Sequence, residues 1–311
     1  MSINLLRSIL ILLVIQIHIS PFTQAYPDLQ HAVLGFIIPL FLFLTGYLFN
    51  AKKSYRQYAS YLLKFTVPYI VLETAYLCLS AYLPVRDGIG ELTAGNVAYH
   101  LLIAPLGPYW YLHTMLICGT IYFLSEKTFS KWKRGGTLAV ALSCAMAVAY
   151  LTPLIGVPAM LAFFAGVVAR KWEWTIDGLF HSSPWAALPF FITVVYGVSG
   201  DVAFASQMSI YAVVAGASFS SFLLWAERRI PHRMLHVLAF IGANTLPIYL
   251  FHPIFTMLAK KCLGVLLDID GSVTLFSLIT LLIAVGGSLA ITVVLDRTGL
   301  SWLFGQRRLL R

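Results

Sequence analysis

Charge is scarce in this chain. Of 311 residues only 11% are Asp, Glu, Lys or Arg, while 59% are hydrophobic and the mean hydropathy is +0.84. A soluble domain carries roughly twice that share of charge, about 25%, so a soluble enzyme and a disordered chain are excluded. A β-barrel is excluded too, because its apolar alternation is far weaker per segment. Cysteine is also sparse: Cys78, Cys118, Cys144 and Cys262 show no CxxC spacing, and three lie in apolar runs. Neither a disulfide framework nor a metal cluster is expected from them. The sequence lacks a G-x-S-x-G elbow, a Walker loop and a G-x-G-x-x-G turn. No inverted repeat of the kind found in transporters is visible.

Long hydrophobic runs are what it does have. A span needs about 20 apolar residues, so the length accommodates roughly ten spans with short loops and no separate soluble domain. The predicted fold is all-α, a polytopic membrane helical bundle forming a single transmembrane domain over residues 1–311. The ten segments are 3–20, 32–50, 63–83, 109–125, 136–152, 156–170, 184–200, 207–226, 235–258 and 273–295. Residues 97–106 are apolar but too short to span, and fit an interfacial or re-entrant segment.

Net charge of +9 raises the question of a nucleic-acid partner. With the N-terminus inside, 17 of the 21 basic residues fall in cytoplasmic connections, from Lys52, Lys53, Arg56 and Lys64 through to Arg307, Arg308 and Arg311. Arg86, Lys260 and Lys261 fall outside, and Arg7 lies in the first segment. Membrane orientation therefore accounts for the charge. No nucleic-acid partner is called for, and both termini are expected to be cytoplasmic.

Ionisable groups within the spans each ask for a reason, since one at a helix centre costs about 2.5–3.5 kcal/mol on insertion scales. Arg7 and His18 are eleven residues apart, which on an ideal helix puts them on one face and roughly 16 Å apart along the axis. Taken singly, Arg7 reads as a snorkelling cation and His18 as an interfacial residue. His113 and His252 fall near the outer ends of their segments, so His18, His113 and His252 can share a depth and line a cavity open to the outside. No His pair or His–carboxylate spacing supports a metal site. Glu73 lies mid-span between Tyr69 and Tyr76 and has three readings: a partner for Arg7, an orienter of a histidine, or a structural hydrogen-bonding group. Trp110 and Tyr111 also fit an aromatic belt. A cleaved signal peptide ending near Ala25 is the competing reading of the first segment, and it would discard both Arg7 and His18.

Taken in order, these motifs resemble the acyltransferase 3 family of integral membrane acyltransferases. RSILILLVIQIH carries an R-x10-H signature at Arg7 and His18, and IIPLFLFLTGY places Pro39, Thr45, Gly46 and Tyr47 in the family's second-helix pattern. KFTVPY is similar to its basic-x3-Pro-Tyr segment at Lys64, Pro68 and Tyr69. Trp110-Tyr111-Leu112 resembles its W-F/Y-L motif, and IGANTLPIYLFHPIF its G-x-x-S/T-x-x-I/L-Y-L-x-H pattern at Gly242, Tyr249 and His252. Two departures stand out: Lys64 is single where the family often has a double arginine, and Glu73 is not part of the pattern. The chain looks like the stand-alone branch, without a fused SGNH-type domain.

The resemblance implies transfer of an acyl group, acetyl or succinyl, from cytoplasmic acyl-CoA to a hydroxyl of a cell-envelope glycan or lipid-linked sugar. It places the protein in a bacterial inner membrane, with membrane lipids around it and no bound cofactor beyond the acyl-CoA co-substrate, expected to be acetyl-CoA. His18 is the expected base and Arg7 a cation for CoA phosphates, with Lys64 and Arg56 assisting. Glu73, Trp110, Tyr249, His252 and Tyr47 complete the expected substrate-binding set. A transporter or flippase for a glycan or lipid-linked intermediate is the alternative, and a sensor or scaffold a third.

Overall fold

The computed structural model describes residues 3–82, 88–132, 134–199, 210–262, 264–269 and 273–311. Arg86, Lys133 and the residues around 200–209, where two expected segments end and begin, lie outside the described residues. Among those described, every regular element is a helix. The order runs α1 (Ile3–Ile17), α2 (Ser20–Ala25), α3 (Pro27–Leu48), α4 (Tyr55–Ser80), α5 (Ala94–Leu102), α6 (Trp110–Thr128), α7 (Arg134–Leu151) and α8 (Val157–Lys171). It continues with α9 (Ile176–Leu179), α10 (Ala187–Val198), α11 (Ile210–Glu227), α12 (His232–Ala243), α13 (Thr245–Cys262), α14 (Val265–Ile269) and α15 (Thr274–Thr298). Short 3-10 turns cover Pro184–Ala186 and Leu300–Phe304.

The all-α expectation is met. By length and composition α3, α4, α11 and α15 can each cross a membrane, and α12 with α13 forms a fifth, broken span bent by 83°. Ile3–Ile17, Gly135–Leu151 and Pro184–Val198 are apolar but shorter. Apolar side chains are exposed along several helices: Leu188, Phe191, Ile192 and Val195 on α10, and Leu278 and Leu282 on α15. Such faces suit lipid, where the helix satisfies its own backbone and an apolar surface carries no penalty.

Prolines set the breaks that hydrophobicity alone does not show. The first segment was expected to run to residue 20, yet α1 stops at Ile17. Pro21 has no N–H for the Ile17 carbonyl, and its ring would strike that oxygen in a continuous helix. Ile19 is accordingly extended (φ −83°, ψ 99°) and the chain restarts as α2. The segment 235–258 breaks for the same reason. Pro247 cannot serve the Ala243 carbonyl, so α12 ends there and Pro247 falls in the first turn of α13, where its missing donor costs nothing. α4, by contrast, begins eight residues earlier than its apolar run, because Ser54 and Gln57 form a reciprocal capping box.

The chain divides into two compact units: residues 1–41, 174–299 and 308–311 form one, and residues 42–173 and 300–307 the other. In the first, α1 packs along α12 and α13 along α15. A Cβ at Gly242 would meet the Asn4 carbonyl oxygen at 1.8 Å, so α1 and α12 approach backbone to backbone. In the second unit the end of α3 meets α8 the same way. Gly46 faces the Phe163 carbonyl oxygen and Gly166 the Phe43 carbonyl oxygen, both at 1.9 Å from a Cβ position. Small residues that let helices touch are the usual means of association where lipid offers no hydrophobic drive.

Candidate functional site

The first unit holds a histidine pair. His18 follows directly on the end of α1, and its amide turns back to the Ile15 carbonyl (2.9 Å). The Val14 carbonyl receives the ring Nδ1 at 2.6 Å. A carbonyl only accepts, so Nδ1 donates and the lone pair of the neutral ring sits on Nε2. His252 repeats the device on α13. Pro253 has no N–H to give the Tyr249 carbonyl, and His252 Nδ1 donates to it instead (2.8 Å). Its Nε2 therefore carries the lone pair as well.

The two rings meet edge to face with centroids 5.3 Å apart. His252 is fully buried, and its Nε2 has no hydrogen-bond partner among the described residues. The half-buried Tyr249 ring lies 6.2 Å from that of His252. At the other end of α1, the half-buried Arg7 donates through Nη2 to Thr245 Oγ1, the first residue of α13. Arg7, His18, Tyr249 and His252, nominated from two motifs near opposite ends of the chain, thus lie along the contact of α1 and α13. Thr245 was not nominated. Its only signal in the sequence is the S/T position of the motif that ends at His252.

The second unit holds the other nominees, in separate settings. Glu73 on α4 is fully buried. Its Oε1 accepts from the Leu106 amide (2.7 Å), and Oε2 has no hydrogen-bond partner among the described residues. The bond goes to a backbone amide, not to Arg7 or a histidine as two of its readings supposed. Around it the end of α5 is tied down by side chains. Tyr69 Oη donates to the Leu101 carbonyl (2.7 Å), His113 Nε2 to the Leu102 carbonyl (3.1 Å), and His100 Nδ1 to the Ala104 carbonyl (2.8 Å). The Leu101 and Leu102 carbonyls have no intrahelical partner, so Tyr69 of α4 and His113 of α6 supply one, while His100 of α5 reaches the Ala104 carbonyl just beyond its own helix. His113 thus caps the end of α5. The Tyr69 and His113 rings lie 5.8 Å apart.

Trp110 is half-buried at the start of α6. Tyr111, beside it, shares a hydrogen bond with Thr45 of the second-helix motif. Tyr47 is buried under the Arg170 guanidinium, whose carbon stands 5.6 Å from the ring centroid. Lys64 is exposed on α4 and lines a cleft of about 590 Å³ with Asn50, Lys52, Lys53, Arg56, Gln57, Ser60 and Tyr61. The Lys53 ammonium sits 4.3 Å over the Tyr61 ring centroid. Partial burial, with Lys64 adding its charge, holds Lys53 below the ordinary lysine range. This cleft gathers four cations and four amide or hydroxyl groups, a donor-rich lining suited to phosphate. Among the described residues, no three of His, Cys, Asp and Glu converge as metal ligands would.

The class that these features define is a multi-pass helical membrane protein with a histidine pair held inside its helices. An acyltransferase-domain family model, acyltransferase 3, matches residues 2–297, and the chain belongs to that family of membrane acyltransferases. No curated protein and no solved structure matches the chain.

Proposed function

We propose that this protein is an O-acyltransferase of a bacterial inner membrane, both termini cytoplasmic. It moves an acetyl or succinyl group from cytoplasmic acyl-CoA to a hydroxyl of a cell-envelope glycan or lipid-linked sugar. The observation that carries the reading is the fixed tautomer of His18. With Nδ1–H anchored on the Val14 carbonyl, Nε2 is a base of defined direction, and the anchor stabilises the imidazolium that forms when Nε2 takes a proton.

The step balances simply. His18 Nε2 takes the acceptor hydroxyl proton as that oxygen attacks the thioester carbonyl. The new C–O bond forms and the C–S bond breaks. The CoA sulfur leaves with the proton returned from His18. Each unit offers a cation site for the donor's phosphates, Arg7 in the first and the cleft of Lys53, Arg56 and Lys64 in the second, where Tyr47 packs under Arg170. Tyr249 and His252 line the acceptor side next to His18. In the second unit Glu73 orders the connection at Leu106, and Trp110 opens α6 just after it.

The test is release of free CoA from acetyl-CoA and succinyl-CoA by the purified protein in nanodiscs, with His18→Ala beside it. General base catalysis contributes about 10²–10⁴-fold, so His18→Ala should lower release by at least about a hundredfold. Full release by His18→Ala would remove the base from the mechanism. Failure to bind or consume any acyl-CoA would favour the transporter reading.

A further inference from the structure

Four hydrogen bonds hold residues 309–311 to two side chains of the first unit. Asp296, near the end of α15, accepts the Leu309 amide on Oδ1 (2.8 Å) and the Leu310 amide on Oδ2 (3.0 Å). Asn244 accepts the Arg311 amide on Oδ1 (2.7 Å) and donates through Nδ2 to the Arg311 carbonyl (3.1 Å). Leu309 is buried. Leu309 to Arg311 thus pair with side chains as a strand pairs with a neighbour, and they lie beyond residues 2–297, the extent of the family match.

Asn244 is the single residue between α12 and α13, at the 83° bend. It is fully buried, and both Nδ2 donors are used: the second bond goes to the Phe240 carbonyl (2.9 Å), which also accepts the Asn244 backbone amide (3.1 Å). The next residue is Thr245, which accepts the Arg7 guanidinium. Two residues before Asn244, Gly242 presses on the backbone of Asn4, one turn ahead of Arg7. The bend therefore touches α1 on both sides of Asn244. A break at a proline leaves the direction of the following helix undetermined by its own hydrogen bonds, so something else must fix it.

We infer that residues 309–311 form a strap that fixes the α12–α13 bend, with Asn244 and Asp296 as positioning residues that hold Thr245 against Arg7 for binding the donor's phosphates. This rests on the reading of Arg7 given above. Neither anchor touches the donor in this scheme; both act through Thr245.

The test measures the Kd of acetyl-CoA for the full-length protein in nanodiscs. Asn244→Ala and deletion of residues 309–311 are each expected to weaken binding about tenfold, the worth of one charge-assisted hydrogen bond. Combined with each other, or with Thr245→Ala, they should weaken it no further, since they act along one chain of contacts. Hydrogen exchange in the absence of donor should show faster exchange of the Arg7 to Leu10 amides in the strap variants, with the rest of α15 unchanged.

Effects on Kd that add fully with Thr245→Ala would overturn the inference, as would an unchanged Kd in variants whose melting temperature falls, which marks a purely structural strap. Arg7→Ala in the same assay separates the two levels. If Arg7→Ala loses binding and the strap variants do not, the strap alone is wrong. If Arg7→Ala binds normally, the assignment of Arg7 itself falls, and the strap's role with it.

Discussion

His18 and His252 acquire their tautomers from the same local event. In each case a proline removes a backbone donor or ends a helix, a carbonyl is left over, and the ring Nδ1 takes it. Nε2 is then fixed as the acceptor in both rings, and in His252 it is buried without a hydrogen-bond partner. An unmet acceptor in a helical core costs about 1–3 kcal/mol, which is tolerable where the group serves a reaction. Pro253→Ala tests this directly. Alanine restores an N–H for the Tyr249 carbonyl, competes with His252 Nδ1 and frees the ring to change tautomer. Melting temperature should hold or rise, because the helix regains a bond, while CoA release falls about tenfold or more. Unchanged turnover in a folded Pro253→Ala variant would show that the His252 tautomer does not matter.

At the scale of elements, glycine decides which helices touch. Gly46 and Gly166 form a reciprocal contact between α3 and α8, each facing a carbonyl oxygen that a methyl group would overlap. Backbone atoms cannot step aside as a flexible side chain can. Gly46→Ala and Gly166→Ala should therefore each destabilise by about 1–3 kcal/mol or more, as overpacking does, seen as a lower melting temperature. Gly286 on α15 has open space around its Cβ position, and Gly286→Ala should be neutral or stabilising by helix propensity. If all three variants melt alike, the close approach of α3 and α8 is not what the glycines are for. Helix ends follow the same logic of local chemistry. The prolines at 21 and 247 and the Ser54 capping box were all visible in the sequence. Hydropathy, which averages over a window, moved the boundaries past them.

For the whole molecule, the uneven distribution of basic residues makes a prediction about orientation. Reporter fusions that are active only outside the cytoplasm should be silent at both termini and near Gln57, and active when inserted at Gly90. The same answer at Gln57 and Gly90 would contradict an odd number of crossings between them and break the assigned topology.

Composition and apolar run length by themselves determined an all-α membrane protein, because a span must satisfy its backbone internally and needs a long uncharged stretch to do so. Ordered short motifs determined the family. Contacts between residues far apart in the chain were not legible. Thr245 stands 238 positions from Arg7, and nothing in either neighbourhood names the other. Glu73 takes its hydrogen bond from an amide in a connection with no motif of its own. His113 and His252 look alike in sequence, each near the end of an apolar run, yet one caps a helix and the other faces His18. Only the tertiary structure decided these, because a side chain's partner depends on where helices cross, and crossing is set by backbone approach and bends that run length does not encode.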